Sequence, residues 1–234
     1  MNWCGRLPRD VGVVIVAGGR GERFGGDTPK QFLDLAGAPV LLHALRPFTS
    51  HPEVACTVVV LPAEHAEDPP QWLAALRSAT LRCTAGGASR RDSVAAGLAA
   101  LPDECAVVLV HDGARPFPPR DAIDGGIASA RHGHAAVPAL PVSDTIKRAD
   151  DCGRVLCTVP REGLWHAQTP QAFPRALLER AHHAGATLER PASDDAMLVE
   201  LAGGIVDLIP GSPRNLKITT ADDLAIAAAM VPGR

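Results

Sequence analysis

The chain has 234 residues, a formal net charge of −3, 46% hydrophobic residues and 3% aromatic residues with no tyrosine. That length suits one domain able to bury roughly 70–75% of its unfolded surface without disulfide or metal staples. The near-neutral charge, the missing basic run and the scarcity of aromatic rings exclude a nucleic-acid backbone and a base-stacking platform as partners.

The N-terminal Arg6 and Arg9 before an apolar run mimic a signal peptide. Asp10 borders that run, however, and a glycine loop rather than a small-residue cleavage site ends it. No stretch reaches the ~20 apolar residues of a membrane span, so a soluble cytoplasmic protein is expected. The six cysteines (Cys4, Cys56, Cys83, Cys105, Cys152 and Cys157) include no Cys-x-x-Cys pair. This argues against zinc or thioredoxin-type sites and for free thiols in a reducing compartment.

In chain order, Val11–Val16 reads as a buried strand running into Ala17-Gly18-Gly19 and a loop that carries Arg20, Arg23 and Lys30. Glycines let backbone N–H groups approach phosphate oxygens, and the cations neutralise their charge. The loop fits neither common phosphate-binding form. A dinucleotide fingerprint starting at Gly19 and Gly21 meets Phe24 where it needs glycine, and a Walker loop fails because Gln31 follows Lys30. A helix is expected near 39–48, a strand over 56–61 and a helix near 71–79. Gly86-Gly87 then leads into a helix over 89–101, with Ser89 and Asp92 forming a capping-box start. Capping accounts for Ser89 and Asp92 and leaves Gly87 and Ser93 for a ligand.

The strand over 106–110 empties into His111-Asp112-Gly113-Ala114-Arg115-Pro116. A carboxylate there, beside a phosphate loop, suits Mg²⁺, and Arg115 has the fork that grips phosphate. His111 reads as structural. A helix near 119–132 and a strand over 135–140 come next. Ser143–Ala149 and Arg154–Val159 then flank Asp150-Asp151-Cys152-Gly153, which reads as a polar hairpin, either a surface arm or a piece that docks on another subunit. A helix near 174–184 and a strand over 205–209 follow. Asn215-Leu216-Lys217-Ile218-Thr219 offers an inward cation before a last helix capped by Thr220 and Asp223. The alternation predicts an α/β fold, a mostly parallel twisted sheet with helices on both faces and a protruding β-hairpin arm. Ligands in such folds bind at the carboxyl ends of the strands.

Taken together these segments resemble the 2-C-methyl-D-erythritol 4-phosphate cytidylyltransferase family. The resemblance rests on Ala17-Gly18-Gly19-x-Gly-x-Arg23, Pro29-Lys30-Gln31, Gly86-Gly87-x-Ser89-Arg90-x-Asp92-Ser93 and His111-Asp112-x-Ala114-Arg115-Pro116. Asp144-Thr145-Ile146-Lys147, Leu164-Trp165-x-x-Gln168-Thr169-Pro170-Gln171, Asp194-Asp195-Ala196 and Asn215-x-Lys217-Ile218-Thr219 extend it over nearly the whole chain. The first loop alone marks only the broader nucleotidyltransferase group.

The resemblance implies transfer of a cytidylyl group from CTP to methylerythritol phosphate, with Mg²⁺ or another divalent cation and with charge stabilisation rather than a nucleophilic side chain. It assigns Arg23, Lys30, Arg161 and Lys217 to catalysis. Ala17, Gly18, Gly19, Gly87, Ser93, Asp112 and Gly113 fall to the nucleotide, and Asp112 to the metal. Arg115, Thr145, Arg161, Ser193 and Lys217 fall to the second substrate. It further implies a single nucleotidyltransferase domain over 1–234, with the segment 143–160 as a dimerisation arm that carries Thr145 and Arg161 to the partner's site in a homodimer. Some relatives carry a fused cyclase domain, which a chain ending at Arg234 is expected to lack.

The sequence departs from the family pattern at Ala88, where an acidic residue is common, at Ser193, where threonine is common, and at Pro160, where aspartate is frequent. The rival readings are a cytidylyltransferase for another polyol phosphate such as ribitol 5-phosphate, a non-catalytic nucleotide-binding subunit, and a Rossmann dehydrogenase, which Phe24 disfavours.

Overall fold

The computed structural model describes residues 8–19, 29–187 and 192–231. Cys4, Arg20, Arg23 and Phe24 lie outside the described residues. The first half contains β1 (Val11–Val16), β2 (Asp34–Leu35), β3 (Ala38–Pro39), α1 (Val40–Thr49), β4 (Val54–Leu61), α2 (Ala63–Glu67), α3 (Gln71–Ala74), β5 (Leu81–Ala85), α4 (Arg90–Ala99) and β6 (Val107–Asp112). The second half contains α5 (Arg120–Arg131), β7 (Ala135–Pro141), β8 (Ile146–Ala149), β9 (Val155–Val159), β10 (Trp165–Ala167), β11 (Gln171–Pro174), α6 (Arg175–Ala184), α7 (Asp195–Leu201), β12 (Val206–Pro210) and α8 (Ala221–Met230).

An eight-stranded sheet forms the centre, in the order β10-β7-β11-β6-β1-β4-β5, with β12 also on β7. Ala136 pairs with both Asp207 and Ala172, so β12 and β11 occupy opposite edges of β7. The parallel strands β5, β4, β1 and β6 share one direction with β7 and β12, and only β10 and β11 run against them.

Successive β1 side chains divide between two cores, because strand side chains alternate between faces. Val11, Val13 and Ile15 pack with Leu41, Leu45 and Phe48 of α1 and Ile123 and Ile127 of α5. Val14 packs on the other face with Val94 and Leu98 of α4, Leu178 of α6 and Leu198 and Val199 of α7. Both faces are therefore covered by helices, and this is why the central strands are continuously apolar. A third, smaller core joins Leu35, Val40 and Ile218 to Ala227 of α8. Among the described residues no helix is long and apolar enough to cross a membrane.

The predicted strands and the start of the last helix are found within two residues, and Thr220 and Asp223 form a full capping box. The segment near 71–79 differs. Helix α3 stops at Ala74, because the Ser78 hydroxyl accepts from the Thr80 and Leu81 N–H groups and a bridge pairs Ser78 with Leu81. Such side-chain bonds compete with helical ones. The strand β5 went unread because it lies at the sheet edge and mixes Arg82 and Thr84 with apolar residues. The polar segment does form an antiparallel pair, β8 with β9, apart from the main sheet. Asp150 Oδ1 accepts from the N–H groups of Cys152 and Arg154, and Gly153 has a φ of 78°, a left-handed conformation that glycine adopts without strain.

Helix α4 rests on the sheet through Gly97. A Cβ there would lie 2.4 Å from Val14 Cγ1 and 2.8 Å from Val60 Cγ2. Both valines are β-branched and stiff at χ1, so they cannot swing aside. Alanine adds about 1 kcal/mol of helix propensity, but overpacking costs about 1–3 kcal/mol. Gly97→Ala is expected to destabilise the fold by about 1 kcal/mol, measured by urea unfolding.

Candidate active site

A cavity of about 310 Å³ opens where β1, β5 and β6 end, lined by Val16–Gly19, Lys30, Gln31, Gly87–Arg90, Ser93, Asp112, Ala114 and Lys217. Carboxyl ends of parallel strands are where this architecture binds ligands. The floor is the exit of β1. The Gln31 amide, buried, donates to the Ala17 carbonyl at 2.6 Å and so fixes where the chain leaves the strand. The residue that spoils a Walker reading is thus the anchor of this different loop. Gly113 donates its N–H to the Val16 carbonyl at 2.9 Å, and a Cβ on it would press on Ala17 at 3.1 Å and Leu41 at 3.2 Å. Glycine here lets the β6 exit lie directly against the β1 exit.

Asp112, the last residue of β6, has a side chain only 13% exposed. Its Oδ2 lies 2.8 Å from Lys217 Nζ and 3.8 Å from Arg115 Nε, and its Oδ1 lies 3.7 Å from Arg90 Nη2. Burial raises the carboxyl, but the surrounding cations, led by Lys217 and then Arg90, outweigh it and hold it down to about 2. A single carboxylate with oxygen donors suits Mg²⁺, which keeps most of its water and takes one or two carboxylates plus substrate phosphates. Among the described residues, Asp112 is the one carboxylate lining the cavity.

The opposite wall is the start of α4. Ser89 caps the helix by accepting from the Asp92 N–H at 3.1 Å, as its position in the sequence suggests. Ser93, expected to face a ligand, donates its hydroxyl to the Ser89 carbonyl at 2.9 Å and accepts from the Gly87 N–H at 3.2 Å. These two bonds shape the glycine turn. A Cβ on Gly87 would lie 2.4 Å from Asp92 Cβ, so only glycine fits the turn.

Behind the cavity, His111 is fully buried between the Thr169 hydroxyl at 3.0 Å and the Arg115 carbonyl at 3.0 Å. Arg115 donates from Nη1 to the Asn215 carbonyl at 2.6 Å, and the Asn215 amide donates to the Thr169 carbonyl at 2.8 Å. Ile218 donates its N–H to the Ala114 carbonyl at 2.8 Å. This lattice ties the segment before α8 to the β6 exit and sets Lys217 over Asp112.

The structure therefore brings Ala17, Gly18, Gly19, Lys30, Gly87, Ser93, Asp112 and Lys217 together at one cavity, with Gly113 beneath it. Arg115 lies behind the wall as a brace. Thr145 and Arg161 are exposed at the base of the β8–β9 pair, where Arg161 donates to the Ser143 carbonyl. Ser193 is exposed beside the start of α7. None of these last three lines the cavity of its own chain. His51, Glu53 and Asp124 also gather, but at the amino ends of the strands, and each is already held: His51 by Asp124, Asp124 by Arg120 and Glu53 by Arg131. That cluster is an ion-pair network remote from the cavity.

The family model for 2-C-methyl-D-erythritol 4-phosphate cytidylyltransferase matches residues 11–232. The chain belongs to this family. A 2-C-methyl-D-erythritol 4-phosphate cytidylyltransferase of Carboxydothermus hydrogenoformans is 41% identical over 218 residues, 93% of each chain. A bifunctional IspD/IspF enzyme of Rhodospirillum rubrum is 44% identical over 95% of this chain, which spans 57% of that protein's length. The crystal structure of the cytidylyltransferase from Thermus thermophilus superposes with a TM-score of 0.79 at 37% identity, covering 94% of this chain and 98% of that one.

Sequence reading of this cytidylyltransferase-family chain passed over Arg90, Gln31 and Asn215 as site residues, although all stand within the quoted segments. Arg90 was masked by the helix start beside it, and Gln31 and Asn215 act through bonds to backbone that no local pattern displays.

Burial pushes the His111 imidazole down to about 4, against its hydrogen bonds with the Arg115 carbonyl and Thr169 and attraction to Asp112. Between 6.5 and about 4 the unfolded chain binds a proton that the folded one refuses, so stability falls as pH drops through that window. Asp112 acts lower: its contribution is present above 3.8 and is lost as pH falls towards about 2. In His111→Gln the loss from pH 6.5 to 4, on the order of 3 kcal/mol, is expected to vanish while the loss below pH 4 remains, as read from urea unfolding across pH.

Proposed function

We propose that the chain joins CTP to 2-C-methyl-D-erythritol 4-phosphate, releasing pyrophosphate and giving CDP-methylerythritol, a step of non-mevalonate isoprenoid synthesis. The observation that carries this reading is the cavity itself. A glycine exit that bars no backbone approach, Lys30, Arg90 and Lys217, and a buried carboxylate meet at the ends of β1 and β6 in a chain of the cytidylyltransferase family.

The chemistry asks for such a site. The nucleophile is a phosphate monoester with a second pKa near ~6, so it is already ionised at neutral pH and needs no general base. The obstacle is the approach of one anion to another. Positioning and fixed cations answer it. The exits of β1 and β5 hold the nucleotide through Ala17, Gly18, Gly19 and Gly87, with Ser93 and Gly113 shaping the walls. Arg23 and Lys30 stabilise charge at the α-phosphate as the new bond forms. Lys217 orients the incoming phosphate, and Arg115 holds Asp112 and the Lys217 segment in register. Asp112 would hold Mg²⁺, which would draw charge from the triphosphate. His111 keeps a neutral, structural role.

The second substrate is completed by a partner copy. Thr145 and Arg161 stand off their own cavity, and Val155 at 61% and Leu156 at 63% exposure leave an apolar surface on the β8–β9 arm. The segment 143–160 as a dimer arm accounts for both. A cytoplasmic location belongs to the same reading and accords with the buried free thiols of Cys56 and Cys105.

Mg²⁺-dependent pyrophosphate release from CTP is expected only with methylerythritol phosphate, not with ribitol 5-phosphate, in a side-by-side assay. Lys30→Ala should lower kcat by about 10²–10³, as loss of one oxyanion-stabilising group does; full activity in that variant would sink the mechanism. Arg161→Ala and Lys217→Ala proteins, each inactive alone, are expected to regain part of the activity when mixed and allowed to exchange subunits. Light scattering should give the mass of a dimer for both.

A further inference from the structure

Arg90 stands at the first position of α4 and lines the cavity. Its Nη1 donates to Asp195 Oδ2 at 2.6 Å, and its Nη2 lies 3.7 Å from Asp112 Oδ1. Asp195 opens α7 with a side chain only 1% exposed, and its other oxygen accepts from His182 Nε2 at 2.9 Å. His182 is itself buried, and its Nδ1 has no hydrogen-bond partner. A carboxylate taken out of water this far gives little net stability against an apolar replacement of the same volume. What the arrangement does give is orientation. Asp195 pins one amino group of a planar guanidinium, with His182 fixing Asp195 from behind, so the rest of the fork is presented at the cavity in a preset direction. A guanidinium so held matches two oxygens of a phosphate better than a lysine can.

We infer that Arg90 is a phosphate contact for the nucleotide and that Asp195, backed by His182, is its positioning residue. The inference rests on the reading of the cavity as a CTP site. It adds a cation on the Oδ1 side of Asp112, opposite Lys217 on the Oδ2 side. Asp112 then serves as a shared counter-ion that keeps both cations aimed inward before the triphosphate arrives.

The test is calorimetric titration of CTP with Mg²⁺, without the second substrate so that nothing turns over. Wild type, Arg90→Met, Arg90→Lys, Asp195→Asn and the Arg90→Met/Asp195→Asn double variant are compared, with the KM for each substrate measured alongside. Arg90→Met should weaken CTP binding by at least about tenfold, the loss of one charge-assisted contact, and leave the KM for methylerythritol phosphate within about twofold. Asp195→Asn should weaken CTP in the same direction and add nothing in the Arg90→Met background. Arg90→Lys keeps a charge on Asp195, so it guards against misfolding; it should melt near wild type and still bind CTP several-fold more weakly. Wild-type CTP affinity in Arg90→Met or Arg90→Lys would overturn the inference alone. So would an Asp195→Asn loss of equal size in both backgrounds, or an equal rise in both KM values. A wild-type protein that does not bind CTP would overturn the cavity reading along with it.

Discussion

The charge of Asp112 is the constraint on which the site depends. A carboxylate left largely out of water is tolerable only where cations and dipoles replace its hydration. Here the replacements come from two distant parts of the chain, Lys217 before α8 and Arg90 at the start of α4, and from Arg115 in the same β6 exit. Meeting that one demand draws the ends of the strands, a helix start and the C-terminal segment to a common point. The same cations that steady Asp112 in the free protein are those an incoming triphosphate would attract.

The framework behind the cavity is made of backbone carbonyls held by buried side chains. Gln31 fixes Ala17, Arg115 fixes Asn215, Asn215 fixes Thr169, and His111 bridges Thr169 and Arg115. Each such bond would be costly to break in the interior, because it would leave a polar group without water or partner. The result is a site in which buried bonds fix the backbone and the charged side chains stand on that fixed frame. That division suits a reaction governed by placement of charge rather than by proton transfer.

Much of the fold was legible because the two-sided sheet demands continuous apolar strands, and β1, β4, β6 and β7 have them, whereas β12, expected to be buried, lies at the sheet edge with Asp207 in it and Leu208 49% exposed. The β8–β9 turn was legible because Asp150 and Gly153 carry the chemistry a tight turn requires. The strands β10 and β11 were not, being three and four residues long. Strand β11 fills the gap between β6 and β7, and β10 pairs with β7 alone. The short α3 was misjudged because the Ser78 hydroxyl redirects the backbone, a local bond that hydrophobic spacing does not report.

The sequence by itself determined that a strand empties into a glycine loop, that Asp112 follows a second strand, and that Lys30 and Lys217 accompany them. It also held the ordered segments that mark the cytidylyltransferase family. Only the tertiary structure decided that Ser93 and Gly87 satisfy each other, that Arg115 braces from behind, and that Arg90 enters the cavity pinned by Asp195. The reason is physical. Residue type and local spacing govern strands, turns and caps, whereas the partner of a buried charge is whatever the packing of distant elements brings within about 4 Å, and no window along the chain contains that information.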